Sequence, residues 1–280
     1  MPERARRLRD LAAAEAVARE AGACALAFFH RRESLEVAAK GLQDMASNAD
    51  REVEELIRDR LARLFPDDGF LGEETGAGLG GNGRLWVVDP IDGTWCFLNG
   101  IRAWCVSLAA VDADGVELGV VYDPCAGELF SAARGLGARL DGRPIRVREA
   151  AALCEGTVSV GFSHRSRPEE VAPVIGELLA RGGMYHRHGS GALALAWLAA
   201  GRLIGYLEPH MNSWDCLAGL LLVREAGGFA SDLSSAAALR DGGAVMAGPM
   251  SLYDELVGLA ARHFSRFVPP PRADGRAARA

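Results

Sequence analysis

Lysine is all but missing from this chain: Lys40 stands alone among 31 lysines and arginines. Such an Arg-for-Lys bias is expected from genome composition, and it makes the lone lysine worth a look. A basic excess is missing too. The formal net charge is −6, which disfavours a nucleic-acid partner, since such binding rests on neutralising phosphates, although it leaves room for a local basic patch. Cysteine is sparse and unpatterned. Cys24, Cys96, Cys105, Cys125, Cys154 and Cys216 form no C-x-x-C pair and no Cys/His cluster at zinc spacing. Reduced, mostly buried thiols are expected rather than a disulfide or zinc framework. No apolar run reaches the ~20 residues that a membrane span needs. Residues 2–10 are rich in arginine, but Glu15, Arg19 and Glu20 follow, and a secretory h-region does not tolerate such charges. The expectation is a cytoplasmic protein with no membrane partner.

What is present is apolar: 49% of 280 residues are hydrophobic, enough for one large domain or two modest halves. Leu8, Leu11, Ala14, Ala18, Ala21, Ala25 and Phe28 recur at helical spacing, predicting a long helix over 4–30 whose small-residue face suits close packing. Ser47 to Asp50 has cap character and opens a second helix over 50–64. The glycines of 76–83 lack phosphate-loop spacing and read as a flexible connector. Strand patterns at 85–88, 103–111, 116–122 and 128–133, with the turn Asp112-Ala113-Asp114-Gly115, predict a mainly antiparallel sheet over 85–148. The rhythm then changes. Strands are expected at 157–161, 183–187, 203–208 and 244–247, and helices at 168–180, 191–200, 214–226 and 252–263, with Ser213 capping the third of these. Alternation of this kind predicts an α+β or α/β layered sandwich. Residues 1–148 would form an N-terminal half and 149–267 a C-terminal half on one shared core, with 268–280 a disordered tail.

The run Leu85-Trp86-Val87-Val88 ends in Asp89-Pro90-Ile91-Asp92-Gly93-Thr94. Pro90 lacks an N–H and stops the strand from simply continuing, and Gly93 permits a close backbone approach. Two acids, a hydroxyl and free backbone N–H groups are thus displayed on one tight turn, chemistry that can hold a divalent cation against a phosphate. Read singly, Asp50 is a helix-start acid, and Glu73-Glu74 is a solvated pair.

Together with Trp214-Asp215-Cys216-Leu217-Ala218-Gly219, the turn resembles the two signatures of the inositol monophosphatase family, magnesium-dependent and lithium-sensitive phosphatases. The resemblance runs from about Leu8 to His263. The first signature departs from its usual form in carrying Cys96-Phe97 where the family has Asn-Phe. Gly72-Glu73-Glu74 resembles the family's metal-ligand loop, and Lys40 with Asp44 to Asp50 its early segment. Gly189-Ser190-Gly191 resembles its substrate loop, and Glu208 a sugar-contacting acid. The resemblance implies an αβαβα sugar-phosphatase sandwich in which these separated acids converge. It places Glu73, Asp89 and the Ile91 carbonyl at one metal ion and Asp89, Asp92 and Asp215 at a second. Thr94, hydrogen-bonded to Asp50, would orient the attacking water with Glu73 close by. Gly93 and Thr94 would receive phosphate oxygens. Asp92, Gly191 and Glu208 would meet substrate hydroxyls, beside Gly189 and Ser190. Two or three Mg²⁺ ions are implied, with Mn²⁺ admissible and Li⁺ and Ca²⁺ inhibitory. The partners implied are a small phosphorylated polyol or related phosphomonoester and a second copy of the chain in a homodimer. Inositol 1-phosphate is the first substrate expected. Histidinol phosphate, fructose 1,6-bisphosphate and 3′-phosphoadenosine 5′-phosphate are the alternatives within the family, and an RNA-processing or transcription-complex role is the alternative outside hydrolysis.

Overall fold

The structure is a computed structural model that describes residues 3–41, 44–78 and 80–272, without the side chains of 39–46. Lys40 and Asp44 as side chains, and residues 273–280 of the expected tail, lie outside the described residues.

The first half runs α1 (Glu3–Phe29), β1 (Val37–Gly41), β2 (Asp44–Ser47), α2 (Asn48–Leu64), β3 (Gly69–Gly72), β4 (Gly76–Gly78), β5 (Leu85–Asp92), α3 (Thr94–Leu98), β6 (Cys105–Asp112), β7 (Gly115–Asp123), β8 (Glu128–Ala133), β9 (Ala138–Leu140) and β10 (Arg143–Pro144). The second runs β11 (Thr157–Val160), α4 (Pro168–Ala180), β12 (Met184–His186), α5 (Gly191–Ala199), β13 (Gly205–Met211), α6 (Ser213–Glu225), β14 (Phe229–Ala230), α7 (Ala236–Asp241), β15 (Gly243–Gly248) and α8 (Tyr253–His263). Strands β3 to β10 form an eight-stranded sheet in the order β10-β9-β8-β7-β6-β5-β3-β4, antiparallel except where β3 meets β5. A five-stranded sheet has the order β12-β11-β13-β15-β14.

The layering follows from where the apolar side chains go. Along β6, alternate residues point to opposite faces. Val106, Leu108 and Ala110 join α1 and α2 in one buried cluster, while Cys105, Ala109 and Val111 join α5 and α6 in another. The large sheet is thus covered on both faces, which is why its strands read as unbroken apolar runs. The second cluster also takes in Tyr206, Met211, Val245 and Ala247 of the smaller sheet. That sheet's other face is covered by α4 and α8 through Val171, Val174, Leu256 and Leu259. The outcome is the expected αβαβα sandwich.

Several local expectations change. The glycine run holds a strand: β4 pairs with β3, Phe70 opposite Gly78. The short β1, β2, β3 and β14 and the helix α7 were not foreseen, because two to six residues carry too little periodicity to stand out. Residues 268–272 return along α8, where the Tyr253 hydroxyl donates to the Pro270 carbonyl (2.6 Å).

Candidate active site

The central turn is built at the end of β5. Residues three apart on a regular strand face opposite ways, but here Asp89 pairs with Ser107 and Asp92 with Cys105. Three steps on β5 therefore match two on β6. The extra residue is a bulge, and it brings both acids to the same side. The Ile91 N–H donates to Asp89 Oδ1 (2.9 Å) and tightens the turn. Gly93 closes it at φ +98°, where a side chain is strained and a Cβ would lie 2.7 Å from the Ala103 carbonyl.

Asp215 arrives from the other half, in the first turn of α6. Asn212 stands at the N-cap and gives Asp215 Oδ2 both its backbone N–H (3.3 Å) and its side-chain amide (3.2 Å). Ser213, the expected cap, is already helical and donates to the Leu239 carbonyl (2.9 Å). Glu73 sits on the turn between β3 and β4, where its N–H donates to the Val88 carbonyl (3.2 Å). Carboxylate oxygens of Glu73, Asp89 and Asp215 all lie within 4.8 Å of one another, a set that can hold a metal ion.

The charge density shows in the acids' titration. Burial first, then Glu73, Asp92 and Asp215, push Asp89 well above the ordinary carboxylate range. Burial and Asp215 push Asp92 to about 7, against the hydrogen bonds that favour its ionised form. Asp215 is likewise raised, chiefly by burial. The described residues thus fit a site completed by added positive charge, in an all-oxygen donor set.

Asp92 is held by the start of α5. Ser190 Oγ donates to Asp92 Oδ2 (2.5 Å) and accepts from the Leu193 N–H (3.2 Å), and the Ala192 N–H donates to the same Asp92 oxygen (2.7 Å). Ser190 and Gly191 were expected at the substrate. Their donors turn to Asp92 instead, although both residues and Gly189 line the cavity. The expected Thr94–Asp50 hydrogen bond gives way to local geometry. Asp50 Oδ2 accepts the Ser47 N–H (2.8 Å) and hydroxyl (2.7 Å) in a capping box, and Thr94 Oγ1 donates to the Ile91 carbonyl (3.2 Å).

Around the acids lies a cleft with an inner cavity of about 140 Å³, lined by Asp92, Ser190, Tyr206, Glu208 and Asp215 among others. It opens into an outer part of about 180 Å³ lined by Glu73, Gly93, Thr94 and Trp95. Glu208 is buried and accepts the Tyr206 hydroxyl (2.5 Å). Burial lifts it to about 8. Of the histidines beside the substrate loop, His188 and His210 line the inner cavity, while His186 stacks on Trp197.

Three residues escaped the sequence reading. Tyr206 had no motif around it. Arg165, in Ser-His-Arg-Ser-Arg, reads as a solvated basic run, yet it lines the cleft throughout. Glu54 is fully buried and accepts the Glu74 N–H (2.8 Å), the Thr75 N–H (2.9 Å) and the Thr75 hydroxyl. It seats the turn that carries Glu73 so closely that a Cβ on Gly72 would fall 2.4 Å from its carboxyl carbon. Its place one helical turn after Asp50 was the available signal.

Known proteins show the same arrangement of chain. The model of the inositol monophosphatase family matches residues 7–264. A protein of Xylella fastidiosa named Nus factor SuhB is 42% identical over 80% of this chain and 82% of its own. An inositol-1-monophosphatase of Mesorhizobium japonicum is 39% identical over 79% of this chain and 84% of its own. The crystal structure of extragenic suppressor protein suhB from Bartonella henselae superposes with a TM-score of 0.84, at 32% identity, over 93% of this chain and 100% of that one.

Proposed function

This chain belongs to the inositol monophosphatase family, and from that premise we propose that it is a Mg²⁺-dependent phosphomonoester hydrolase acting on a phosphorylated polyol such as inositol 1-phosphate. The supporting observation is the convergence of Glu73, Asp89 and Asp215, from three separate segments, within 4.8 Å at the floor of a cleft that also holds Asp92. Two carboxylates ~4 Å apart repel by roughly 4 kcal/mol at an effective dielectric near 20, so several cannot stay ionised without a counter-charge. Oxygen-only donors favour a hard ion, Mg²⁺ with Mn²⁺ admissible.

Glu73, Asp89 and the Ile91 carbonyl would hold one ion, and Asp89, Asp92 and Asp215 another. A divalent ion bound there supplies Lewis-acid charge to the phosphoryl and leaving oxygens. Gly93 and Thr94 line the outer cleft and would take phosphate oxygens on their N–H groups. Glu73 shares that space and is placed to accept the proton of an attacking water. Glu208 faces the inner cavity, where substrate hydroxyls would meet it. Ser190 and the N-terminus of α5 fix the direction of Asp92.

The test is phosphate release from inositol 1-phosphate, histidinol phosphate, fructose 1,6-bisphosphate and 3′-phosphoadenosine 5′-phosphate, each with and without Mg²⁺ and Li⁺. Mg²⁺-dependent, Li⁺-sensitive release is expected. Asp92→Asn and Asp215→Asn should each lose at least ~100-fold in turnover with the circular dichroism spectrum preserved, the scale of removing one charge-stabilising group. Undiminished Mg²⁺-dependent turnover in either variant overturns the assignment. A homodimer belongs to this reading and is checked by light scattering. The relatives named Nus factor SuhB support a second reading, an RNA-processing or transcription-complex accessory role. Salt-dependent RNA retention by the inactive Asp92→Asn protein is its test.

A further inference from the structure

We propose that the mouth of the cleft is a second anion subsite, formed by Arg165 and Arg187, that selects phosphomonoesters carrying a further phosphate group. The inference rests on the hydrolase reading of the cleft floor.

Both arginines line the inner cavity and the outer cleft. Arg165 also lines the adjoining recess with Arg167, His210 and Arg266. What sets the pair apart is that both line the cleft with no carboxylate partner among the described residues. Arg84, Arg134, Arg202 and Arg262 each face a carboxylate within salt-bridge distance. Among the described residues, neither Arg165 nor Arg187 has a carboxylate partner, and Arg165 makes no hydrogen bond. Arg187 donates to the Phe162 carbonyl (3.2 Å), which ties its guanidinium to the loop that carries Arg165. The positive charge reaches the floor without touching it. Asp215 and Glu208 line the same inner cavity as both arginines.

The chemistry follows from what remains unmatched. The floor acids would be matched by divalent ions, and the phosphate that is cleaved would lie on those ions and the Gly93–Thr94 turn. A polyol ring would use Asp92 and Glu208. None of these engages the arginines. A guanidinium fork fits the oxygens of a phosphate two at a time, and such charge-assisted bonds are about twice as strong as neutral ones. Inner and outer spaces of about 140 and 180 Å³ share Arg165, Arg187 and Asp215 in their walls. That places a small dianion, rather than a long polymer, between the arginines and the floor. Sugar bisphosphates and nucleoside bisphosphates offer the same group.

The experiment compares matched pairs in saturating Mg²⁺: fructose 1,6-bisphosphate against fructose 1-phosphate, and 3′-phosphoadenosine 5′-phosphate against adenosine 3′-phosphate. The expected result is a preference of about tenfold or more in kcat/KM for the bisphosphate in at least one pair, and which pair shows it identifies the source of the second phosphate. Arg165→Gln should reduce that preference about tenfold, equal to about 1.4 kcal/mol, chiefly through KM, and Arg165→Lys should restore part of it. Arg165→Gln removes no bond of the fold, so it keeps the test valid should Arg187→Gln disturb the Phe162 loop. No preference in either pair, or a preference unmoved by Arg165→Gln, overturns the subsite. Loss of binding to a single-stranded RNA oligonucleotide in Arg165→Gln, with the substrate preference unmoved, also overturns it and assigns the arginines to nucleic acid. Titration calorimetry of the same pairs separates the two readings. Arg165-dependent bisphosphate binding without any phosphate release keeps the subsite and rejects the hydrolase. Hydrolysis of inositol 1-phosphate with no preference in either pair does the reverse.

Discussion

Asp92 shows how one side chain can be read correctly from a motif and still hold a surprise. Its place beside Asp89 was legible because Asp-Pro-Ile-Asp-Gly-Thr constrains the backbone. That Ser190 and Ala192 would grip it was not, since those contacts join residues nearly a hundred positions apart. The Thr94–Asp50 expectation failed for the opposite reason: a capping bond three residues away was closer to hand. The same residues make the site sensitive to pH. In the unfolded chain such carboxyls ionise near pH ~4. In the fold Asp92 holds its proton to about 7, and Asp89 and Asp215 are raised by burial and by one another. Between about pH 4 and 7 the metal-free fold therefore binds more protons than the unfolded chain, and its stability falls as pH rises. A divalent ion favours the ionised form and offsets that loss. Mg²⁺ should raise Tm, relative to EDTA, by more at pH 8 than at pH 5 in differential scanning fluorimetry. Equal increments would mean that the acids ionise without help.

At the scale of elements, long periodic segments were legible and short paired ones were not. Helix α4 falls on its expected residues, 168–180, and α2 begins two residues early because Ser47 caps it. Strands β3 and β4 are only four and three residues long, and they exist because each finds a neighbour, which no local pattern announces. The turn between them is seated on a carboxylate of α2. Glu54→Gln keeps the shape but puts an amide donor against backbone donors. We expect the Mg²⁺ concentration for half-maximal activity to rise ~10-fold or more, the usual effect of losing a group that orients a metal ligand, with little change in Tm measured in EDTA. A fall in Tm with unchanged Mg²⁺ dependence would make Glu54 a stability element only.

For the whole molecule, α5 and α6 lie between the two sheets, and one buried cluster runs from Val87 of the large sheet through Leu220 to Val245 of the small one. The layering was legible from the change in rhythm near residue 150. The sharing was an expectation that no stretch of sequence could display by itself, because a packed layer belongs to both faces it joins. Removing either half would expose that layer to water, at ~25 cal/mol per Å² of apolar surface. Thermal unfolding followed by far-UV circular dichroism and by tryptophan fluorescence should give one coincident transition. Two separated transitions would mean that the halves hold together independently.

The position of Asp215 on α6 has a consequence during synthesis. A growing chain that has released Glu73, Asp89 and Asp92 still lacks Asp215, and it lacks the start of α5 that restrains Asp92. The fullest crowding of like charges is deferred until the helices that enclose it have been made. An unfinished polypeptide thus lacks the last of the converging acids, and the full cluster and the sealed interior come into being in the same event.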